Sequence, residues 1–146
     1  MNPVFEDAFK LLTLGYSVIP SGAGPDGKAP AVAWKQYQDK PPDEAQLECW
    51  ESELHPRLWG IITNDTVGVV EADTQQARTE LEAELGQPNV ISPRGGCHFY
   101  CDTEGHPFPT KAGVLPGIDV RGVGGFVNVA GSSRFGEYSH SCKGSS

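Results

Sequence analysis

Hydrophobic residues recur at helical spacing in three stretches of the chain, NPVFEDAFKLLTLG, PPDEAQLECWESEL and TQQARTELEAELG. Each stretch has, at or near its start, a residue that can cap a helix: Asn2, Asp43 and Thr74. The pattern therefore predicts three amphipathic helices. Their inward side chains are predicted to be Phe5, Phe9, Leu12, Leu47, Trp50, Leu54, Ala77, Leu81 and Leu85.

Shorter apolar runs predict β-strands in YSVIP, LWGIITND, TVGVVEAD, NVISPRGGCHFYC, GIDVRG and GFVNVAG. The Asn-Asp pair between the second and third runs favours a hairpin that joins them. Two Gly/Pro-rich segments, SGAGPDGKAPAVAW and the stretch between Cys101 and GIDVRG, are predicted to be loops. Since helices and strands are mixed without regular βαβ alternation, we expect an α+β fold with the helices packed on one face of the sheet.

The composition is that of one ordered domain, since 38 % of the 146 residues are hydrophobic. No apolar run approaches the roughly 20 residues of a membrane span, and the N-terminus lacks the basic start of a signal peptide. We therefore expect a cytoplasmic protein with no membrane contact. Without a C-x-x-C pair, the cysteines are expected to be reduced and mostly buried thiols rather than metal ligands: Cys49, Cys97, Cys101 and Cys142.

The net charge of −8 and the pI of about 4.8 count against a dedicated nucleic-acid-binding module, which usually carries a basic patch. An enzyme that lets metal ions neutralise phosphate charge is compatible with this acidity. The charge therefore restricts the mode of nucleic-acid binding without excluding it.

The run VGVVEAD ends in two acids that alternation places on the same strand face as Val67 and Val69. Glu71 and Asp73 lie about 6.6 Å apart along such a strand, so their carboxylates can lean onto one divalent ion or onto two. Carboxylate oxygens are the ligands that Mg²⁺ and Mn²⁺ prefer. The alternative is a strand that emerges into solvent just before the Thr74 helix cap.

The run SPRGGCHFY combines donors that suit a phosphate. Ser92 and Arg94 stand beside the Gly95-Gly96 turn, whose backbone amides can bind an anion, and His98 follows on the next strand. A glycine hairpin with a core histidine is the alternative interpretation.

The run GIDVRG directs Asp119 and Arg121 to one strand face. An exposed ion pair within the strand would explain both residues. Alternatively, Asp119 is a third metal carboxylate, and Arg121 pairs with a phosphate or with that carboxylate.

The order of these motifs resembles the N-terminal prim-pol domain of bifunctional DNA primase/polymerases, in the archaeo-eukaryotic primase superfamily. The likeness runs through AFKLLTLGYSVIP, GKAPAVAW, LWGIITND, VGVVEAD, SPRGGCHFY and GIDVRGVGGFVNVAGSS to Tyr138. It implies a catalytic domain over residues 1–140, with an RRM-like antiparallel or mixed sheet, flanking helices and a small α/β unit. Residues 141–146 are expected to form a flexible tail.

The resemblance also implies roles for individual residues. Glu71, Asp73 and Asp119 match the acids that bind two Mg²⁺ or Mn²⁺ ions, and His98 matches the residue that contacts the triphosphate of the incoming nucleotide. The resemblance implies further nucleotide-binding positions. The loop before His98 supplies Ser92, Arg94, Gly95 and Gly96, and positions where the family often has basic residues supply Lys28 and Arg121. The chain departs from the family at Glu71, where Asp is usual, and the longer side chain would shift a bound metal.

The implied activity is template-dependent transfer of dNTPs or NTPs to a 3′-hydroxyl in DNA replication. Its partners would be a single-stranded DNA template, a primer and a helicase or C-terminal primase region outside this chain. Three other hypotheses stay open: a nucleotide-binding relative with weakened catalysis, a metal-dependent nuclease or phosphohydrolase, and a structural interaction domain.

Overall fold

The computed structural model describes residues 2–133 and 136–140. These residues form the helices α1 (Pro3–Thr13), α2 (Glu44–Leu54) and α3 (Gln75–Leu85), with a short 3-10 helix at Lys35–Tyr37. The strands are β1 (Val18–Ala23), β2 (Ala29–Pro30), β3 (Leu58–Thr63), β4 (Val67–Ala72), β5 (Val90–Ile91), β6 (Cys97–Asp102), β7 (Lys111–Leu115), β8 (Ile118–Arg121), β9 (Gly125–Ser133) and β10 (Gly136–His140). The predicted α+β class is confirmed.

The three helices begin where their capping residues predict. The side chains of Asn2, Asp43 and Thr74 accept hydrogen bonds from backbone N–H groups two or three residues later, at 2.9, 2.8 and 3.1 Å. The prediction that Leu54 and Leu85 face inward is wrong, because these side chains are 45 % and 49 % exposed. Each stands in the last turn of its helix, beyond the residues that pack in the core.

The strands form one ten-stranded sheet in the order β2-β1-β3-β9-β10-β5-β6-β4-β8-β7, with antiparallel neighbours throughout. The predicted hairpin between β3 and β4 is wrong: β3 pairs with β1 and β9, whereas β4 pairs with β6 and β8. Only residues 64–66 join the two strands, and the Asn64 N–H closes this turn on the Val67 carbonyl at 2.9 Å. Because four other strands separate β3 from β4 in the sheet, the sheet must curl to bring their ends together.

The helices pack on two different parts of this curled sheet. α1 and α2 cover a core that includes Phe5, Leu47 and Trp59, whereas Ala77 of α3 belongs to a separate cluster against Phe99. The side chains of β4 alternate between the two clusters, with Val69 in the first and Ala72 in the second. The expectation that all helices lie on one face is therefore wrong.

Two further expectations fail at the surface. The segment predicted to be a proline-rich loop contains the edge strand β7, whose five residues are all exposed, so no alternation marked it as a strand. Cys49 is exposed rather than buried, while Cys97 is buried and Cys101 half-buried as reduced thiols. Cys142 and the predicted tail lie outside the described residues. Among the described helices, the longest are too short and too polar to cross a membrane.

Candidate active site

Strand register brings two distant parts of the sequence beside Glu71. On one side of β4 the register pairs Glu71 with His98 of β6, and on the other side it pairs Glu71 with Asp119 of β8. Directly paired residues of antiparallel strands project from the same face. The three side chains therefore form a row across the sheet, on the face that also carries Val69.

Asp73 joins this row from just beyond the end of β4. Its backbone N–H donates to the Gly117 carbonyl at 2.8 Å, which continues the strand by one residue before the α3 cap. Each of Glu71, Asp73 and Asp119 offers a carboxylate oxygen, and these oxygens all lie within 4.8 Å of one another. The carboxylates predicted to share a metal are thus close enough to do so.

Two of the carboxylates are held by hydrogen bonds from neighbouring strands. The Arg121 Nε donates to Glu71 Oε1 at 2.9 Å, and the Gly113 N–H donates to Asp119 Oδ1 at 2.7 Å. Arg121 therefore pairs across strands with Glu71, rather than along its own strand with Asp119. In each case one oxygen of the carboxylate is engaged by the protein, which fixes the direction of the other.

The electrostatics of the cluster favour a cation. Burial raises the pKa of Glu71, Arg121 lowers it in part, and the charge of Asp119 raises it further. The pKa of Asp73, which is only partly covered, is raised by this partial burial, by the charges of Asp119 and Glu71, and by a hydrogen bond with Asp119. Because ionised carboxylates repel one another here, a divalent ion would stabilise the cluster.

A pocket of about 300 Å³ opens beside these acids. The curl of the sheet brings its two walls to face each other. β4 and the turn before β6 form one wall, and β9, β10 and the loop after β1 form the other. Of the predicted residues, it is lined by Lys28, Glu71, Asp73, Ser92, Arg94, Gly96 and His98. Tyr138 and Ser133 also line it, and sequence analysis did not assign them a role.

The two glycines of the turn before β6 differ in their relation to the pocket. The Gly95 N–H donates to the Ser92 carbonyl at 3.0 Å, and Gly95 is not part of the pocket lining. Its amide is therefore committed to the turn, while Gly96 lies in the pocket wall. A Cβ on Gly96 would come within 2.9 Å of Ser92 Oγ and 3.0 Å of the Ala72 carbonyl. Glycine at this position thus lets the turn pack against the end of β4.

His98 is buried in the floor of the pocket with 7 % of its surface exposed. Burial and, to a smaller extent, the charge of Arg121 together lower its pKa to about 4. Within the described residues, the buried Nδ1 has no hydrogen-bond partner. An unsatisfied buried nitrogen costs about 1–3 kcal/mol, so this histidine is held at some expense to stability, as is common for residues that serve a ligand.

This pKa makes the stability of the metal-free protein depend on pH. Between pH 6.5, the ordinary pKa of histidine, and about 4, the unfolded chain binds a proton at His98 that the folded chain does not. The free energy of unfolding should therefore fall as the pH is lowered through this range, by on the order of 3 kcal/mol at most. Urea unfolding in EDTA across this range measures it.

His98→Gln removes this titration and should flatten the profile, whereas His106→Gln, at an exposed histidine, should leave it unchanged. Glu71 and Asp73 act with the opposite sign, because their raised pKa values favour the folded state as the pH falls. The difference between wild type and His98→Gln isolates the histidine. Parallel profiles would contradict the burial of a neutral imidazole.

Asn128 is a buried residue of β9 that links the pocket wall to the core. Its Oδ1 accepts from the Ser21 hydroxyl at 2.5 Å, and its Nδ2 donates to the Lys28 carbonyl at 3.0 Å. Tyr138 hydrogen-bonds the same side chain, and burial raises the pKa of that phenol despite this bond. Asn128 therefore fixes the Lys28 loop and Tyr138 on one side of the pocket, a role that a polar residue within the apolar run GFVNVAG could have signalled.

Replacing Asn128 by leucine should lower the free energy of unfolding by about 1–3 kcal/mol, since buried partners lose their hydrogen bonds. Urea unfolding measures this change. Gln76→Leu, which removes an exposed amide that bonds Glu80 within α3, should change it by no more than about 0.5 kcal/mol. Equal effects of the two substitutions would show that Asn128 has no such linking role.

The sequence profile of the family described as "Bifunctional DNA primase/polymerase, N-terminal" (Prim-Pol) matches residues 8–143. This range covers most of the 146 residues, so the chain belongs to the Prim-Pol family, and the resemblance seen in its motifs is confirmed. Membership implies an activity of the primase/polymerase type, a nucleotidyltransferase reaction. No individual curated protein matches the chain at a significant level.

Proposed function

We propose that this protein is a template-dependent nucleotidyltransferase that adds dNTPs or NTPs to the 3′-hydroxyl of a primer in DNA replication. The observation that carries the proposal is the convergence of Glu71, Asp73 and Asp119, with carboxylate oxygens within 4.8 Å of one another. This cluster borders a pocket that Ser92 and Arg94 also line. Such a pairing of acids and phosphate donors suits transfer of a nucleotide to a hydroxyl.

The cluster fits divalent cations by its donor chemistry, because hard carboxylate oxygens suit Mg²⁺ and Mn²⁺. Two such cations, bound by Glu71, Asp73 and Asp119, would lower the pKa of the attacking hydroxyl and neutralise charge on the triphosphate. Glu71 is longer than the usual Asp, and its ion pair with Arg121 restrains the extra length. In this proposal Arg121 therefore pairs with the Glu71 carboxylate and does not contact a phosphate.

The remaining pocket residues would bind and orient the nucleotide. Arg94 supplies a planar pair of donors for phosphate oxygens, and the Ser92 hydroxyl and His98 add single donors. Lys28 adds a positive charge from the opposite wall. We place the RRM-like core of the family resemblance in the strands β5, β6, β4 and β8 with α3, because these elements carry the acids and the glycine turn.

A primer-extension assay tests the proposal. A labelled primer on a longer DNA template is incubated with the protein, Mg²⁺ or Mn²⁺, and dNTPs or NTPs. Elongation in at least one combination is the expected result. Shortening of the primer would instead indicate a nuclease, and nucleotide binding without product would indicate a relative with weakened catalysis, in which Glu71→Asp should restore extension. Binding of neither metal nor nucleotide by folded protein would leave only a structural role.

A further inference from the structure

A second cavity of about 450 Å³ adjoins the active-site pocket. Ser133 lines both cavities, and the segment 22–28 separates them, with Lys28 on the first side and Gly22, Gly24 and Gly27 on the second. The end of α2 and the connection 55–57 that leads to β3 form the far wall. A ligand that extends beyond the first pocket past Ser133 would therefore enter this cavity.

The walls of the second cavity combine a cation and hydroxyls with apolar surface. Arg57 is exposed, and no carboxylate of the described residues lies within ion-pairing distance of it. Ser132 and Ser133 stand beside it on β9, while Leu54 and Pro56 supply apolar walls. Such a mixture suits a nucleotide unit, with its phosphate on the guanidinium and its sugar or base on the apolar side.

The position of Arg57 relative to β9 is fixed by the backbone. The Ser132 N–H donates to the Arg57 carbonyl at 2.9 Å. At the preceding Gly131, with φ of +106°, a Cβ would come within 1.9 Å of that carbonyl, so only glycine permits this approach. The backbone of Arg57, just before β3, is therefore held directly against Ser132 of β9.

One acid also faces this cavity, and it restricts where a phosphate can lie. The Asp26 carboxylate accepts a hydrogen bond from the Lys28 N–H at 3.1 Å and lies on the loop side. Its charge opposes an anion there. A phosphate would consequently lie on the opposite side, against Arg57 and Ser132.

We propose that this second cavity binds one nucleotide of a single nucleic-acid strand, with its phosphodiester on Arg57 and Ser132. The assignment rests on the proposed function, because it makes the cavity the continuation of the nucleotide pocket along a primer or template. It gives the acidic chain a local cationic contact for a strand. A free nucleotide offers the same phosphate chemistry, so the experiment separates the two sources.

The test measures binding of a labelled oligothymidylate of about 12 nucleotides, by fluorescence anisotropy, at several salt concentrations. Arg57→Gln should weaken binding several-fold, and it should reduce the slope of log Kd against log salt by about 0.7, the value for one phosphate contact on a single strand. Arg57→Lys should retain most of the slope. Ser132→Asp, which adds an anion beside Arg57, should weaken binding more than Arg57→Gln.

Lys10→Gln is the matched control, since Lys10 is an exposed cation on α1 outside both cavities. It should leave affinity and slope unchanged. Equal affinities and slopes for Arg57→Gln, Lys10→Gln and wild type would overturn the proposal, as would failure of the wild type to bind the oligonucleotide.

Calorimetry with a mononucleotide and Mn²⁺ separates the two phosphate sources. The proposal expects equal mononucleotide binding by Arg57→Gln and wild type. If Arg57→Gln loses mononucleotide binding but keeps the oligonucleotide, the cavity serves a free nucleotide and the proposal is wrong. Primer extension by the wild type tests the proposed function separately. An effect of Arg57→Gln on oligonucleotide binding without any extension would contradict that function but would still support the contact between Arg57 and a strand.

Discussion

Replacing Asp73 by asparagine is expected to abolish nucleotide incorporation while it stabilises the metal-free protein. Incorporation should fall by at least about 100-fold, because replacing even a residue that only hydrogen-bonds a metal ligand lowers metal affinity or activity by up to this factor. The neutral amide also removes a charge that Glu71 and Asp119 repel. The gain in free energy of unfolding should be on the order of 0.5 kcal/mol, about 1–2 °C in Tm, since Asp73 is exposed.

Primer extension and thermal unfolding, each with and without Mn²⁺, measure both effects on the same samples. Mn²⁺ at saturating concentration should raise the Tm of the wild type and leave Asp73→Asn nearly unchanged. Asp65→Asn removes an exposed acid at the turn before β4, outside the cluster, and should behave as wild type throughout. An Asp73→Asn protein that keeps both activity and the Mn²⁺ response would contradict the assignment of Asp73 as a ligand.

Replacing His98 is expected to weaken nucleotide binding about 10- to 100-fold, the loss that follows from removing one hydrogen bond to a charged group. His98→Gln preserves much of the buried volume, whereas His98→Ala also leaves a cavity beneath the pocket. Both should lose affinity for a nucleotide in Mn²⁺, measured by calorimetry. Their affinity for Mn²⁺ alone should change little, since the metal cluster consists of Glu71, Asp73 and Asp119.

His106→Ala serves as the control for this experiment, because it removes an exposed histidine in the connection after β6. It should bind nucleotide as wild type does. Circular dichroism and Tm establish that each variant is folded before its affinity is compared. Unchanged nucleotide affinity in folded His98→Gln would exclude a triphosphate contact at this position.

Local patterns in the sequence were sufficient to predict the elements that carry the site. Alternation predicts Glu71 and Asp73 on one face of β4, and it predicts that Asp119 and Ile118 lie on opposite faces of β8. Both predictions agree with the structure, in which Ile118 is buried and the three acids cluster. Helix caps were equally local and equally predictable. What alternation cannot supply is register, because a shift by two residues would preserve every face and separate Asp119 from Glu71.

Long-range topology explains the failures. The short turn after Thr63 favours a β3–β4 hairpin. In the structure, however, β3 lies between β1, which precedes it, and β9, which is far along the chain, while β4 pairs with the later strands β6 and β8. Pairing of this kind depends on packing across the whole sheet, to which a two-residue turn signal contributes little. The same applies to Tyr138, which reaches the pocket only because β10 lies between β9 and β5.

A crystal soaked with Mn²⁺ and a nucleotide tests the central claim most directly, because anomalous scattering locates manganese independently of any assumption about the site. We expect manganese peaks bounded by the carboxylates of Glu71, Asp73 and Asp119, with the triphosphate extending toward Arg94 and His98. Manganese bound elsewhere on the protein, or a nucleotide seated away from this cluster, would contradict the account.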